Sequence, residues 1–362
     1  FTIEETDAAT EVDESGSTDT FTVVLDAQPT SDVVLIITSD DTGEATLPAS
    51  VTFTAADWDT PQTITVTGAD DSIIDGTITS TITIAVDDDN SDDDFDAVAD
   101  QTVSVDTLDD DVAGFTIEET DGSTEVNESG TTDTFTIVLD AQPTNDVVVL
   151  ATASNDETEA TVSGSITFTS ENWDTPQTVT VTGVDDDLVD GDQTYDITIS
   201  IVDTISDDEF DGVADQSISS TTIDDDTPGF TIEETDTATE VDESGTTDTF
   251  TVVLDAQPTS DVVLTITTDD TGEATVNSPL TFTPVNWDTP QTVTVTGADD
   301  DLVDGTITST ITIAVDDANS DDGFDGLDDQ TLSVDTLDDD TAGFTIEETD
   351  AATEVDESGS TD

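Results

Sequence analysis

Hydrophobic and polar residues alternate along most of this chain. Segments such as 20–25 (Thr-Phe-Thr-Val-Val-Leu) and 63–66 (Thr-Ile-Thr-Val) place apolar side chains on one face of an extended backbone. Alternation is typical of half-buried strands, and no segment shows the period of about 3.6 residues expected of a helix. In the first 114 residues the pattern predicts strands near 1–5, 19–26, 32–38, 43–47, 50–54, 61–67, 78–86 and 101–108.

Turn-forming segments separate these strands. They include 14–16 (Glu-Ser-Gly), 27–30 (Ala-Gln-Pro-Thr) and 41–43 (Asp-Thr-Gly). Many short alternating strands joined by regular turns predict an all-β chain built from antiparallel, immunoglobulin-like β-sandwich domains.

Sequence repetition indicates how these domains are arranged. The hexapeptide Phe-Thr-Ile-Glu-Glu-Thr begins at Phe1, Phe115, Phe230 and Phe344. An interval of 114 or 115 residues suits a whole domain rather than a solenoid repeat. We predict three domains joined by very short linkers, at 1–114, 115–229 and 230–343, and the start of a fourth at 344–362. Residues 344–362 are identical to residues 1–19, which suggests a higher-order unit of three domains.

The chain carries an extreme negative charge. Its 362 residues include 92 Asp and Glu but no Lys, Arg or His, so the formal net charge is -92 at pH 7. Such a charge opposes a compact state by self-repulsion and, with low hydrophobicity, often marks disorder. The strand pattern argues for a fold nevertheless, so we expect cations to neutralise the acids. Without cationic side chains nucleic-acid binding is excluded, and no apolar run approaches the roughly 20 residues of a membrane span.

The residue types present argue against catalysis. Cys is absent together with His and Lys, so the chain lacks the usual bases and nucleophiles of neutral pH. Paired carboxylates could act as in a glycosidase, but acids occur throughout and no insertion interrupts the repeats. We predict that the chain is not an enzyme. Because disulfides are also excluded, metal is the remaining stabiliser for small extracellular domains of this kind.

Three sets of acidic residues recur in the repeats. The first set lies on the opening strand: Glu4, Glu5, Glu118, Glu119, Glu233, Glu234, Glu347 and Glu348. The second set follows the Thr-Val-Thr-Gly strand: Asp70, Asp71, Asp75, Asp185, Asp186, Asp190, Asp299, Asp300 and Asp304. The third set ends each domain: Asp109, Asp110, Asp111, Asp224, Asp225, Asp226, Asp338, Asp339 and Asp340. Calcium takes about six to eight oxygen ligands, and loops at one end of a sandwich converge, so these residues are predicted to bind Ca2+. The alternative is solvated surface acids, which most charge runs are.

A further acidic stretch is less informative. Asp88, Asn90 and Asp92 have the one-three-five spacing of a calcium loop, but the sixth position is Asp rather than Gly. The spacing recurs in the third repeat and is broken in the second. It favours a flexible, solvated hairpin over a metal site.

Several of these motifs together resemble the Calx-beta domain family. They are Glu-Ser-Gly near the start, Thr-Val-Thr-Gly-x-Asp-Asp with a following Asp-Gly, and the closing Leu/Ile-Asp-Asp-Asp. Bacterial arrays of this family also contain segments similar to residues 168–177 and 282–291. This family occurs in sodium–calcium exchangers and in many bacterial surface proteins. The resemblance implies a β-sandwich and implies calcium bound by the opening-strand acid, the middle Asp cluster and the terminal Asp triplet, all acidic here.

The predicted function is that of a calcium-rigidified structural spacer in an extracellular adhesin or surface protein. Its expected partners are calcium ions and the neighbouring repeats of the same chain. One alternative is a subunit of an extracellular filament or sheath, in which other copies of the chain are bound through calcium and acidic surfaces. A second alternative is a halophilic surface array without specific metal sites.

Overall fold

The structure, a computed structural model, describes residues 1–6, 9–154, 158–347 and 358. Within those residues its regular elements are 27 β-strands and four single-turn 3-10 helices, which confirms the predicted all-β class. None of the helices in this part of the chain is long and apolar enough to cross a membrane. The chain divides into two compact units, Phe1–Val184 with Thr194–Thr222, and Asp185–Gln193 with Ile223–Asp362. The domain boundaries at 114, 229 and 343 stay predictions.

The first repeat contains nine strands in two sheets. They are β1 Thr2–Glu5, β2 Thr10–Asp13, β3 Thr18–Val24, β4 Val33–Ser39, β5 Ala45–Thr46, β6 Ser50–Phe53, β7 Gln62–Gly68, β8 Ile78–Val86 and β9 Gln101–Leu108. One sheet has the order β1-β3-β7-β5 and the other the order β2-β9-β8-β4-β6. The opening segment therefore contributes one strand to each sheet.

The pairing of β2 with β9 departs from the antiparallel prediction. Thr10 lies opposite Val105 in a parallel ladder, because the chain crosses between the sheets after β1 and runs alongside the last strand. The alternation did not predict β2, since Thr-Glu-Val-Asp contains a single apolar residue. That residue, Val12, is 1% exposed. The same parallel pairing joins the equivalent strands of the third repeat.

The other repeats follow the same order. In the second, the strands are β10 Phe115–Glu119, β11 Thr124–Asn127, β12 Thr132–Leu139, β13 Val147–Ala153, β14 Ala160–Val162, β15 Ile166–Phe168, β16 Gln177–Gly183, β17 Gln193–Ile201 and β18 Gln216–Ile223. In the third, they are β19 Phe230–Glu234, β20 Thr239–Asp242, β21 Thr247–Leu254, β22 Val262–Thr268, β23 Ala274–Val276, β24 Leu280–Phe282, β25 Gln291–Gly297, β26 Ile307–Val315 and β27 Gln330–Leu337. Residues 338–347 form no strand, and most of the predicted fourth repeat lies outside the described residues.

The core of the first repeat lies between its two sheets. Phe21 and Ile64 are register partners in one sheet, Ile37 and Ile84 are partners in the other, and all four belong to one buried cluster. Trp58 packs against this cluster. The single tryptophans of the other repeats pack in the same way: Trp173 and Trp287. Each repeat therefore contains one tryptophan whose fluorescence can report on the unfolding of its own core.

Candidate metal centre

The loops that follow β2, β7 and β9 meet at one end of the first sandwich. The amide of Glu14 donates to the carbonyl of Leu108 at 3.0 Å, and the amide of Gly68 donates to the carbonyl of Ser17 at 3.0 Å. A Cβ at Gly68 would lie 2.1 Å from the carbonyl oxygen of Asp13, so the strand must end in glycine here. This close approach places the acidic loop after β7 beside Glu14.

Three carboxylates converge at this point. One oxygen from each of Glu14, Asp71 and Asp111 lies within 4.8 Å of the other two. Glu14 is 1% exposed, and neither its Oε2 nor the Oδ2 of Asp111 has a hydrogen-bond partner. The chain has no Lys, Arg or His that could supply a side-chain cation. Because unpaired buried charge is strongly unfavourable, the group is a candidate site for a bound cation.

The first aspartate of the terminal triplet positions the others. Oδ2 of Asp109 accepts hydrogen bonds from the amides of Asp75 and Gly76, at 3.0 and 2.8 Å, and its Oδ1 accepts from the amide of Asp111 at 2.8 Å. The equivalent aspartates accept the same kind of bonds from a loop glycine and from the third residue of their own triplet: Asp224 and Asp338. Asp109 thus fixes the loop after β7 against the end of β9.

The third repeat contains two such groups within the second unit. The first consists of Glu243, Asp338 and Asp340, and the second of Glu273, Asp300 and Asp304. Glu243 is 1% exposed and neither of its side-chain oxygens has a partner; Glu273 is 6% exposed and its Oε2 has none. Burial and then Asp300, Asp338, Glu273 and Asp304 raise the pKa of Glu243. The two groups therefore act on each other electrostatically and form one extended acidic centre.

Burial and mutual repulsion perturb these carboxyl groups. Burial raises the pKa of Glu14 to about 8, and Asp71, Glu44, Asp109 and Asp75 add to the shift. Burial likewise raises the pKa of Glu44, although a hydrogen bond with Glu14 opposes the rise. The site therefore retains protons at a pH where exposed glutamates are ionised. That behaviour is expected where carboxylates are gathered without a compensating cation.

The donor set decides which cation would fit. The side chains that converge offer carboxylate oxygen alone, because the chain has no Cys or His. Oxygen-only sets suit the hard cations calcium and magnesium, whereas zinc and copper sites favour nitrogen and sulfur. The buried oxygens without partners leave lone pairs available for a metal. The residues present thus fit a hard divalent cation.

The structure brings together part of the predicted ligand set. Predicted residues that belong to the groups described above are Asp71, Asp111, Asp300, Asp304, Asp338 and Asp340. Other predicted residues repel a carboxylate of the terminal triplet. Burial raises the pKa of Asp110, and repulsion from Asp70 and Asp109 adds to the rise. Burial likewise raises the pKa of Asp340, with added repulsion from three predicted residues: Asp299, Asp338 and Asp339.

The predicted aspartates between 185 and 226 lie in the second unit. Burial raises the pKa of Asp226 to about 6, and repulsion from neighbouring carboxylates adds to the rise: Asp224, Asp187, Asp186 and Asp225. Burial also raises the pKa of Asp190, opposed by a hydrogen bond from Gln193. Asp185 is exposed.

The opening-strand glutamates lie apart from the groups described above. Glu4 and Glu5 pair with Thr22 and Phe21 along β3, and Oε1 of Glu5 accepts a 3.5 Å hydrogen bond from Thr10. Equivalent ladders and bonds hold the glutamates of the second and third repeats: Glu118, Glu119, Glu233 and Glu234. Glu347 is exposed outside any strand, and Glu348 lies outside the described residues.

Glutamates that the sequence analysis did not select complete the groups. Glu14 and Glu243 belong to the recurring Glu-Ser-Gly turn, and Glu44 and Glu273 follow an Asp-Thr-Gly turn. The sequence analysis interpreted both turns as chain reversals and the first also as part of the Calx-beta resemblance, but it predicted no metal ligand in either. The available signal was an acid directly before a strand or after it, at the same place in each repeat. Each of these glutamates lies next to a turn that contains glycine. Because glycine is sufficient to explain a chain reversal, the glutamate beside it was not considered as a ligand.

In the acidic stretch with one-three-five spacing, the last aspartate is buried and stabilises the local structure. Asp321 is 5% exposed and caps the 3-10 turn Asp322–Phe324. Its Oδ2 accepts from Oγ1 of Thr259 and from the amide of Ser260, both at 2.6 Å, and its Oδ1 accepts from the amide of Gly323 at 2.9 Å. Burial raises its pKa, but these hydrogen bonds outweigh burial and hold the pKa below the usual value.

The equivalent aspartates share this arrangement: Asp92 and Asp207. The prediction of a flexible, solvated hairpin was therefore wrong at Asp92, which is 5% exposed and accepts hydrogen bonds from Thr30 and Ser31. The one-three-five spacing reflects a capping residue, since its last member satisfies backbone amides from a distant loop.

Replacing Asp321 with Ala is expected to destabilise the third repeat by about 2–4 kcal/mol, because buried amide donors lose a charged acceptor. The measurement is urea unfolding followed by Trp287 fluorescence in a full chain whose other tryptophans are changed to Phe. Asp317→Ala, at an exposed position nearby, is the matched control and should leave the midpoint unchanged. Equal midpoints for both variants would contradict a structural role for Asp321.

Neither a protein-family model nor a curated protein matches this chain. Solved structures to which it is similar include CBD12 from CALX1.2, at 15% identity over 55% of this chain and 79% of that one, with a TM-score of 0.23. They also include the titin I-band fragment I67-I69, at 9% identity over 93% and 98%, with a TM-score of 0.28. Domains 4 and 5 of the S-layer protein SbsC match at 16% identity over 62% and 99%, with a TM-score of 0.26. Identities and TM-scores this low assign neither a family nor a function, so the resemblance to Calx-beta domains stays a prediction.

Proposed function

We propose that this chain is a calcium-rigidified structural spacer of an extracellular adhesin or other surface protein. The observation that carries the proposal is the burial of carboxylates without any cationic partner. Glu14 and Glu243 are each 1% exposed and have unpartnered oxygens, in a chain that contains no Lys, Arg or His. A cation would remove an electrostatic penalty that the protein alone cannot offset.

In the first repeat, Glu14, Asp71 and Asp111 would hold the ion, with Glu44 and Asp75 close by. The bound cation supplies the positive charge that these groups lack. In the third repeat the corresponding residues are Glu243, Asp338, Asp340, Glu273, Asp300 and Asp304. More than one ion per centre is compatible with two adjacent groups of carboxylates.

The position of the loop after β7 links the site to the next repeat. Asp71 and Asp75 flank the apex of this loop, where the carbonyl of Ser72 accepts a 2.6 Å hydrogen bond from the amide of Gln142. Ile73 and Gln142 also form a β-bridge. A cation held by the flanking aspartates would order the apex and hence the contact between the first and second repeats. Stiffening of the array follows from that coupling.

The setting that suits this mechanism is extracellular. Free calcium outside cells matches modules that bind at about 10⁻⁴–10⁻³ M, so modest affinity is sufficient. The remaining negative charge favours solubility and opposes lateral aggregation. The residue types also support a role without catalysis, because the usual general bases and nucleophiles are missing.

Thermal unfolding of the full chain in EDTA and in about 10 mM calcium, at constant ionic strength, tests the proposal. A site with a dissociation constant of about 10⁻⁴ M would gain about 2.7 kcal/mol under this condition, and the melting temperature would rise. Magnesium and additional sodium chloride serve as controls. If sodium stabilises the chain as much as calcium does, the specific site is wrong and the halophilic alternative applies.

A subunit of an extracellular filament is the second candidate, in which the acidic surfaces bind other copies of the chain through calcium. The formal net charge of -92 is the observation behind it, because so acidic a surface requires cations between neighbouring copies. Electron microscopy of the purified chain in calcium would distinguish the candidates, because a filament subunit should form ordered fibres whereas a spacer should not.

A further inference from the structure

The second strand and the last strand of a repeat run side by side in the same direction. In the third repeat, β20 pairs with β27 in parallel, and the ladder ends where Asp242 lies opposite Leu337. The amide of Glu243 donates to the carbonyl of Leu337 at 3.0 Å, which extends the pairing just beyond β20. The opening segment of the repeat is therefore joined directly to the strand through which the chain leaves it.

An acidic group lies at the end of this ladder. Glu243 directly follows β20, and Asp338 and Asp340 come just after β27. One oxygen from each of these three side chains lies within 4.8 Å of the other two. Glu243 is 1% exposed, and neither of its side-chain oxygens has a hydrogen-bond partner. The group thus connects the ends of two parallel strands.

Backbone contacts hold the carboxylates on both strands in place. On the side of β20, the carbonyl of Asp242 accepts a 3.0 Å hydrogen bond from the amide of Gly245. A Cβ at Gly297 would lie 2.2 Å from the same carbonyl oxygen, so this turn packs tightly against the end of β25. On the side of β27, Oδ2 of Asp338 accepts a 2.8 Å hydrogen bond from the amide of Gly305. Displacement of either strand along its axis therefore displaces the carboxylates that follow it.

Tension along the polypeptide loads this pair of strands in shear. The chain enters the repeat at β19, which pairs with β21, continues into β20, and leaves the repeat after β27. Pulling the two ends of the repeat apart draws β20 toward its N-terminal end and β27 toward its C-terminal end. Because the two strands are parallel, these movements are opposite, and the ladder bonds between them are loaded together. The same movements separate Glu243 from Asp338 and Asp340.

The first repeat has the same construction. There β2 pairs with β9 in parallel, and the amide of Glu14 donates to the carbonyl of Leu108 just beyond the ladder. Glu14 directly follows β2, Asp111 comes just after β9, and the two belong to one converging group. In both repeats the buried glutamate therefore lies on one of the sheared strands and its acidic partner on the other.

We propose that a cation bound between the ends of β20 and β27 is a mechanical lock, which must be released before tension can slide the two strands apart. The inference rests on the proposed calcium site and adds a load-bearing function to it. Without the cation, Glu243 and Asp338 repel each other, so the two strand ends are pushed apart. With the cation, the opening segment is extracted only after the carboxylates of the two strands have separated. Resistance to force should therefore depend on calcium most strongly along the direction of the chain.

Single-molecule force spectroscopy of the full chain tests the lock, with handles attached through cysteines that the parent lacks. Handles at Thr227→Cys and Thr341→Cys shear β20 against β27, and the 114 residues between them identify the unfolding step. Handles at Val285→Cys and Asp317→Cys load the same repeat without shearing this pair. Both control positions are exposed and remote from the acidic group, since β25 runs toward that group and β26 runs away from it. Forced unfolding is governed by the unfolding rate, so that rate is measured at constant force.

Along the sheared axis, about 10 mM calcium is expected to slow unfolding at least about tenfold relative to EDTA at equal ionic strength. Along the control axis the slowing should stay below about threefold. Glu243→Gln should remove most of the gain along the sheared axis, whereas Glu233→Gln, at an exposed position on β19, should retain it. Equal gains along the two axes would overturn the lock, and so would an undiminished gain in Glu243→Gln.

Thermal melting separates this inference from the proposed function. If calcium raises the melting temperature but slows forced unfolding equally along both axes, or along neither, calcium binds and the lock is wrong. If calcium changes neither the melting temperature nor the unfolding rate, the proposed function fails and the lock fails with it. The comparison of axes uses the unaltered acidic group, so it decides the question even if Glu243→Gln does not fold.

Discussion

Replacing Glu14 with Gln is expected to have opposite effects on the first repeat in the absence and presence of calcium. In EDTA the melting temperature should rise, because the substitution removes a buried carboxyl group that lies among other acids. In calcium the metal-dependent gain should fall, because the ion loses a charged ligand. A loss of at least about tenfold in calcium affinity is expected, since affinity depends on the number of charged ligands.

The tryptophan distribution allows this to be measured repeat by repeat. A chain that retains Trp58 and carries Phe at the other two positions reports unfolding of the first repeat through its own core. Glu4→Gln is the matched control, since Glu4 is an exposed glutamate on β1 outside the converging group. If Glu4→Gln reduces calcium binding as strongly as Glu14→Gln does, the ligand set is that of the opening strand and the geometric assignment fails. A fall in apo stability of Glu14→Gln would contradict the electrostatic argument.

Strands could be predicted from the sequence where they are long enough to contain several alternating apolar residues. Strands such as β3 and β7 carry several apolar residues in period, and their buried members, including Phe21 and Ile64, form the core as expected. The strand β2 was not predictable in this way, because burial of Val12 alone leaves no period to detect. Its parallel partner β9 is far away in the sequence, since the paired residues Thr10 and Val105 are 95 residues apart, and alternation does not encode the direction of pairing.

The candidate site was predictable at its aspartates and not at its glutamates. Asp71 and Asp111 lie in charge runs that stand out, whereas Glu14 is a single acid within a turn motif. The opening strand was chosen for the glutamate position because its Glu pair recurs. The structure instead places the end of β2 beside the loop after β7, and this depends on contacts between Gly68 and Asp13 that no local pattern reveals.

Without calcium, the stability of the first repeat should fall as pH rises, and the cause should be the ionisation of Glu14. The pKa of Glu14 is raised to about 8 in the folded protein by burial and neighbouring acids, whereas an unfolded glutamate titrates at about 4.3. The folded state then binds more protons than the unfolded state between these values, so stability falls as pH rises. In EDTA the first repeat should therefore melt at progressively lower temperature from about pH 5 to about pH 8. Asp92 contributes in a separate window, because its pKa is lowered and its stabilisation is lost only under more acidic conditions.

Saturating calcium should abolish most of this slope, because the bound ion favours the ionised carboxylates at every pH in the window. Calcium binding should consequently release protons near pH 7, which calorimetry in buffers of different ionisation enthalpy measures directly. Glu14→Gln separates the site from general charge repulsion: it should flatten the slope in EDTA at Trp58, whereas the exposed control Glu4→Gln should preserve it. A slope that is unchanged in Glu14→Gln would mean that diffuse repulsion among the acids, and not the buried centre, sets the response. A chain whose stability in EDTA increases from pH 5 to pH 8 would contradict the raised pKa, and with it the electrostatic penalty on which the calcium proposal depends.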